Sequence, residues 1–146
     1  MRVYLVQHAE AKSKEEDPER RITERGKEET RRIAEFLKKA GVKVDAIYHS
    51  TKTRAKETAE IFSELLGVKA EEKDNLEPLA DAKVWAERIR EEERDVMIVG
   101  HLPHLSKLLA ELVGGEVAKF RYSGVLCLER EEDSFKIVWF VTPDII

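Results

Sequence analysis

Short apolar runs alternate with segments of helical period along this chain, and this alternation constrains the fold more than any other feature. It is typical of an α/β domain with a mainly parallel sheet. The predicted strands are Arg2 to Gln7, Val44 to His49, a short edge strand over Val68 to Glu71, and Val96 to Val99. We therefore expect an α/β fold, a three-layer sandwich with a mainly parallel central sheet and helices on both faces.

Helical segments are predicted between and after these strands. The first is capped by Thr23, presents Ile33, Phe36, Leu37 and Ala40 on its apolar face, and ends before Gly41. The others run from about Lys52 to Gly67, through Val84, Trp85 and Ile89, and from Pro103 to Gly114-Gly115. Asp74 to Asp81 contains Pro78 and has no clear period, so it predicts a loop that could pass over a site.

The C-terminal part has a different pattern. Val125 to Leu128 and Phe135 to Val141 are apolar and are joined by a polar turn, Glu131 to Ser134. This arrangement favours a β-hairpin, with parallel strand partners as the alternative.

Length and composition narrow the class of protein. A chain of 146 residues predicts a single domain, 1–146. The net charge of -4 argues against a nucleic acid as partner, because such proteins usually carry a basic excess. The apolar run Val3 to Val6 is too short for a signal peptide or a membrane span, and the single Cys127 forms no disulfide framework. We expect a cytoplasmic protein with no membrane partner.

Polar residues follow three of the predicted strands. His8 follows the first strand, Ser50 to Arg54 the second, and Gly100-His101 the strongest apolar strand. In open α/β sheets, ligands bind beyond the carboxyl ends of the strands, so these segments are expected to converge. Arg20 and Arg21, in the loop after the first strand, add positive charge, and the expected ligand is an anion.

Two histidines with arginines suit phosphoryl transfer. A neutral imidazole is nucleophilic near pH 7, and an arginine fork matches phosphate oxygens bidentately. A metal hydrolase would need more carboxylates. His104 lies three residues after His101, but no glutamate-bearing metal motif accompanies this pair. We therefore expect neither a metal nor another cofactor.

These residues resemble the motifs of a known family. Gln7-His8-Ala9-Glu10 resembles the Arg-His-Gly signature of the histidine phosphatase superfamily, the phosphoglycerate-mutase-like proteins. The segment from Ser50 to Thr58 is similar to its Ser-x-x-x-Arg-Ala-x-x-Thr motif, and Gly100-His101 to its second histidine motif. The short length and His101-Leu102-Pro103 narrow the resemblance, which covers essentially the whole chain, to compact SixA-like phosphohistidine phosphatases.

The resemblance implies a role for each of these positions. His8 would attack phosphorus in line and be phosphorylated transiently, before water releases phosphate. Arg54 and Arg20 would hold the equatorial oxygens, with Arg21 as the alternative to Arg20. His101, as a cation, would bind the phosphoryl group opposite His8. Donors spread over the transferring oxygens are the main source of stabilisation in such reactions.

Two positions depart from the family pattern. Gln7 stands where the family has arginine, so the site lacks one positive charge, although the amide still donates a hydrogen bond to a phosphoryl group. Ala9 stands where the family has glycine, and its Cβ would be strained if this backbone approached the phosphate closely or needed a positive φ. Weak activity or an altered substrate is one interpretation of these departures, whereas the presence of both histidines and Arg54 argues against inactivity.

The general acid is the least defined role. Larger relatives carry a glutamate on a long insertion that this chain lacks, and Glu77 and Asp81 are the candidates in the corresponding loop. A phosphoramidate leaving group reduces the need for an acid, because its imidazole nitrogen can arrive protonated. The favoured substrate is therefore phosphohistidine on a signalling or phosphotransfer protein. The alternatives are a small-molecule phosphate ester and a weakly active module that binds phospho-ligands.

Overall fold

Strands and helices alternate along the chain in a computed structural model that describes residues 1–146. The strands are β1 Arg2–Gln7, β2 Ala46–His49, β3 Ala70–Glu72, β4 Val96–Gly100, β5 Val125–Glu131 and β6 Ser134–Val141. The helices are α1 Glu24–Lys39, α2 Thr53–Leu66, α3 Ala82–Glu91 and α4 His104–Val113, followed by a short 3-10 turn at Pro143–Ile145.

All six strands form one sheet in the order β3-β2-β4-β1-β5-β6. Strands β3, β2, β4 and β1 run parallel, whereas β5 is antiparallel to both β1 and β6. The C-terminal hairpin is therefore confirmed, and its parallel alternative is not found. The carboxyl ends of β1, β2 and β4 lie at the same edge of the sheet, which brings together the segments that follow them.

The sheet is covered by helices on both faces, as expected. Alternate residues of β1 point to opposite faces, because the side-chain period of a strand is two. Val3 and Leu5 join an apolar cluster with residues of α3 and α4, including Trp85 and Leu108. The opposite cluster is formed by residues of β1, α1 and α2, among them Tyr4, Val6, Ile33, Leu37 and Phe62. No helix has both the length and the apolar character needed to cross a bilayer.

The helix boundaries follow the predicted caps closely. The hydroxyl of Thr23 accepts a hydrogen bond from the amide of Gly26 at the start of α1, and Gly67 ends α2 with a positive φ of 69°. At these positions a side-chain acceptor and a left-handed residue satisfy backbone groups that the helix leaves unpaired.

Some details differ from the sequence-based expectation. Phe36 is 45% exposed and Ala40 is also exposed, so the buried face of α1 is narrower than predicted. Phe36 instead lines a surface cleft with Trp139 and Val42, near the end of the helix. Strand β2 begins at Ala46 rather than Val44, because Val44 is buried without a strand partner.

Candidate active site

His8 follows β1 and is buried at the carboxyl edge of the sheet. Its backbone amide donates to the carbonyl of Gly100 at 3.0 Å, and its Nδ1–H donates to the carbonyl of Ala9 at 2.8 Å. Because Nδ1 carries the proton, the free lone pair lies on Nε2. Burial lowers the pKa of His8 to about 4, and the charges of Arg54 and Arg20 act in the same direction. The imidazole is therefore neutral near neutral pH, with an unprotonated Nε2.

His101 follows β4, and its ring centroid lies 5.0 Å from that of His8. Nε2 of His101 shares a hydrogen bond of 2.6 Å with the hydroxyl of Ser50, whereas its buried Nδ1 has no protein partner. Burial lowers the pKa of His101 to about 3, with further lowering by His8 and Arg54. Without a ligand, His101 is therefore neutral near neutral pH. Its cationic form stays a prediction for the phosphoryl-bound state, because a phosphoryl dianion beside the ring would favour its protonation.

Arg54 lies in the first turn of α2, which begins directly after the loop that follows β2. Its Nε is buried and makes no hydrogen bond within the protein. Burial lowers the pKa of Arg54, and the charge of Arg20 adds to this effect. A guanidinium with an unpaired buried donor, close to a second guanidinium, is poorly satisfied without an anion.

Arg20 and Arg21 are adjacent in sequence but differ in their surroundings. Arg20 has a positive φ of 52°, its Nε donates to the carbonyl of Lys12 at 2.9 Å, and its charge lowers the pKa of both His8 and Arg54. Arg21 forms ion pairs with Asp17 at 3.0 Å and with Glu19 at 3.5 Å. Arg20 is therefore the better placed of the two for a ligand held by His8 and Arg54.

This difference leads to a prediction for the two arginines. We expect Arg20→Ala to weaken the binding of inorganic phosphate by about tenfold or more, because a lost hydrogen bond to a charged group costs roughly 1.5–3 kcal/mol. Arg21→Ala removes an ion pair between the largely exposed Arg21 and the buried Asp17, not a contact to the ligand, and should change the affinity by less than about twofold. Phosphate inhibition constants for the two variants measure this difference, and equal losses would contradict the assignment of Arg20.

The two departures from the family pattern have different consequences. The Oε1 atom of Gln7 is buried without a partner, so this side chain is an unsatisfied neutral group beside His8. Ala9 does not have a positive φ, and its amide donates to the hydroxyl of Thr58 at 2.9 Å. Its side chain packs close to Gly26, where an added Cβ would lie 3.2 Å from that of Ala9. Ala9 is thus accommodated without the strain of a positive φ, and Gln7 leaves the end of β1 without the positive charge of the family arginine.

Glu77 and Asp81 lie in the loop between β3 and α3, as the sequence predicts. Glu77 accepts a hydrogen bond from Thr51 at 3.5 Å, next to Ser50, whereas the carboxylate of Asp81 caps α3 by accepting from the amide of Lys83 at 3.0 Å. Because Asp81 is engaged as a helix cap, Glu77 is the more available acid.

His104 lies near these two carboxylates but is fully buried, and neither of its ring nitrogens has a protein partner. Its pKa is lowered by burial, while Glu77 and Asp81 act in the opposite direction. No group of three or more His, Cys, Asp or Glu side chains is arranged to hold a metal ion.

Three further residues shape the site, and sequence patterns assigned none of them an individual role. The hydroxyl of Ser50 shares a hydrogen bond with His101. The hydroxyl of Thr58 accepts a hydrogen bond from the amide of Ala9 and so links α2 to the segment after His8. Ser50 and Thr58 both belong to the motif from Ser50 to Thr58, so the motif could have indicated that they lie at the site. Tyr122, whose ring centroid lies 5.6 Å from that of His8, comes from the segment between α4 and β5. No pattern in the sequence marks that position.

A buried neutral imidazole that faces a second imidazole beside two guanidinium groups, at the carboxyl edge of a largely parallel sheet, is typical of phosphatases that use histidine as the nucleophile. A family model of the histidine phosphatase superfamily (branch 1) matches residues 3–80. This chain belongs to that superfamily and is a phosphatase of the SixA-like type.

Individual relatives agree with this assignment. The phosphohistidine phosphatase SixA of Escherichia coli K12 is 29% identical over 123 residues, which cover 80% of this chain and 76% of the relative. A structure of the protein histidine phosphatase SixA complexed with tungstate has a TM-score of 0.89 at 27% identity and covers 99% of this chain and 98% of the other. The alpha-ribazole phosphatase of Shigella flexneri, at 15% identity and a TM-score of 0.78 over 94% of each chain, shares the fold.

Proposed function

We propose that residues 1–146 act as one catalytic domain that removes the phosphoryl group from phosphohistidine on a phosphorylated protein. The observation that carries this proposal is the state of His8, a buried imidazole that is neutral at Nε2 and faces His101. The likeness to SixA, a phosphohistidine phosphatase, supports the substrate class. A cytoplasmic location is part of the same proposal, supported by the single cysteine, Cys127, which is free and buried.

The reaction consists of two in-line displacements. In the first, Nε2 of His8 attacks phosphorus, an N–P bond forms, and the N–P bond of the substrate breaks with its electron pair going to the leaving imidazole. In the second, water attacks the phosphorylated His8, phosphate departs and the imidazole is regenerated. Arg54, Arg20 and His101 bind the equatorial oxygens, where charge stabilisation lowers the barrier most.

The candidate acids favour a phosphoramidate over an ester. Asp81 is engaged as the cap of α3, and Glu77 is the remaining carboxylate in the loop beside the site. An alkoxide leaving group needs a proton from such an acid, whereas the imidazole of a protonated phosphohistidine departs as a neutral ring. The reaction that depends least on Glu77 is therefore the cleavage of phosphohistidine.

A comparison of two substrates tests this proposal. Phosphate release is measured from a phosphohistidine-bearing protein and from a small aliphatic phosphate ester, using the wild type and Glu77→Gln. We expect the phosphohistidine protein to react faster and the variant to retain its activity on that substrate. Preference for the ester, with loss of its turnover in Glu77→Gln, would instead establish a small-molecule esterase.

A phospho-ligand binding module is the second candidate function. The specific observation in its favour is Gln7, an unsatisfied neutral side chain where the family pattern has a cation. Oxyanion binding without phosphate release from either substrate would support the module and overturn the enzymatic proposal.

A further inference from the structure

Tyr122 is held at the active site by the residue that follows it. Tyr122 forms a β-bridge with Gln7, and the amide of Ser123 donates to the carbonyl of Gln7 at 2.9 Å. Ser123 is fully buried, and its hydroxyl shares a hydrogen bond of 2.7 Å with that of Thr30 in α1. These contacts tie the backbone of Tyr122 to the end of β1, one residue before His8.

The ring of Tyr122 packs against His8. His8 has two neighbouring rings, with centroid distances of 5.0 Å to His101 and 5.6 Å to Tyr122. Tyr122 is 43% exposed, so part of its side chain remains accessible to a ligand. As a phenolate, its oxygen would raise the pKa of Arg54, so the hydroxyl lies near that guanidinium. Tyr122 thus borders both the nucleophile and a group expected to bind phosphate.

Gln7 supplies less to a phosphoryl group than an arginine would. Its buried Oε1 has no partner, and its amide nitrogen offers only a neutral donor. A tyrosine hydroxyl donates to an anion without adding a cation to a site that already contains Arg20 and Arg54.

We propose that Tyr122 is a further phosphoryl-binding residue, whose hydroxyl donates a hydrogen bond to an oxygen of the transferred group and compensates for the neutral Gln7. This inference rests on the proposed function, because it assigns a donor to the same phosphoryl site. It extends that function by naming a ligand of the phosphoryl group in the segment between α4 and β5.

Tungstate affinity tests the hydroxyl directly and does not depend on turnover. We expect Tyr122→Phe to weaken tungstate binding and to lower kcat/KM by about tenfold, the effect of one hydrogen bond to an anion. Tyr4→Phe is the matched control, because it removes a buried phenol oxygen of β1 that lines the cleft beside Phe36. That control should leave the tungstate affinity unchanged.

A double-mutant cycle with Gln7→Arg tests the compensation. Gln7→Arg supplies a charged fork. If both positions bind the same oxyanion, Tyr122→Phe should therefore lower the tungstate affinity by less than about threefold in that background. An equal loss of tungstate affinity from Tyr122→Phe with Gln7 and with Arg at position 7 would contradict the proposal that Tyr122 compensates for Gln7.

Two other results would overturn the proposed role of the hydroxyl. The first is a tungstate affinity of Tyr122→Phe equal to that of the wild type. The second is full activity of Tyr122→Phe with reduced activity of Tyr122→Leu, which would mean that the ring contacts the leaving group. Failure of the proposed function is a different outcome. The wild type would then release no phosphate, while tungstate binding would still report on the hydroxyl.

Discussion

His8→Ala is expected to lower phosphate release by roughly 10³-fold or more, because removal of a nucleophile eliminates the covalent route and not only one contact. The wild type should also accumulate an acid-labile, base-stable phosphoenzyme during turnover, as expected for a phosphorus–nitrogen bond. His8→Ala should form none. Turnover in this variant at a rate near that of the wild type would refute the assignment of His8.

His49 provides a matched control for this substitution. Like His8, it is buried at the end of a parallel strand, and its Nδ1–H donates to the carbonyl of the following residue at 2.8 Å. His49→Ala therefore removes a similar imidazole and a similar hydrogen bond. A comparable loss of stability in the two variants, with loss of phosphoenzyme only in His8→Ala, would separate chemistry from folding.

Acid is expected to destabilise the protein well above the range in which carboxylates titrate. The pKa of His8 falls from 6.5 to about 4 on folding, and that of His101 to about 3, mainly because both rings are buried. Below 6.5 the unfolded chain therefore binds more protons than the folded protein. The associated stability is present above pH 6.5 and is lost as the pH falls towards the folded-state values.

The size of this effect follows from the width of the titration window. Below the pKa of the unfolded state, each of the two imidazoles should lower the free energy of unfolding by about 1.4 kcal/mol per pH unit. Together they should lower it by about 4 kcal/mol between about pH 7 and about pH 5. Denaturant unfolding over this range measures the loss. A constant free energy of unfolding would contradict the lowered pKa values of the site.

Two controls separate the contributions to this pH dependence. His104 also has a lowered pKa and two unpaired ring nitrogens, so His104→Leu should flatten the pH profile and raise the stability at neutral pH. Inorganic phosphate should also reduce the slope of stability against pH, because an anion bound beside His8 and His101 favours their protonated forms. A phosphate effect in His104→Leu but not in His8→Ala would locate the anion at the active site.

Much of the site was accessible from the sequence because parallel strands end at a common edge. His8, Arg54 and His101 follow β1, β2 and β4, and the register of these strands brings two of the three side chains into direct contact as neighbouring rings. The roles of Arg20 and Arg21 could not be separated in this way. Their difference depends on Asp17, which binds one of the two side chains after the loop has folded.

Sequence patterns could not predict the charge state of the site. A motif specifies two histidines, but their protonation depends on burial, on the distance between the rings and on the positive charge of Arg54. The sequence also could not predict whether alanine is tolerated at position 9. That depends on the φ angle of Ala9 and on the space left by Gly26 in α1.

By itself, the sequence determined the order of the strands and helices, the caps at Thr23 and Gly67, and the identity of the groups at the carboxyl edge of the sheet. These features depend on local periodicity and chain position. The tertiary structure alone decided which nitrogen of His8 is free, which of Arg20 and Arg21 is held in ion pairs, and that Tyr122 borders His8. These features depend on distances between segments far apart in the chain, which no local pattern encodes.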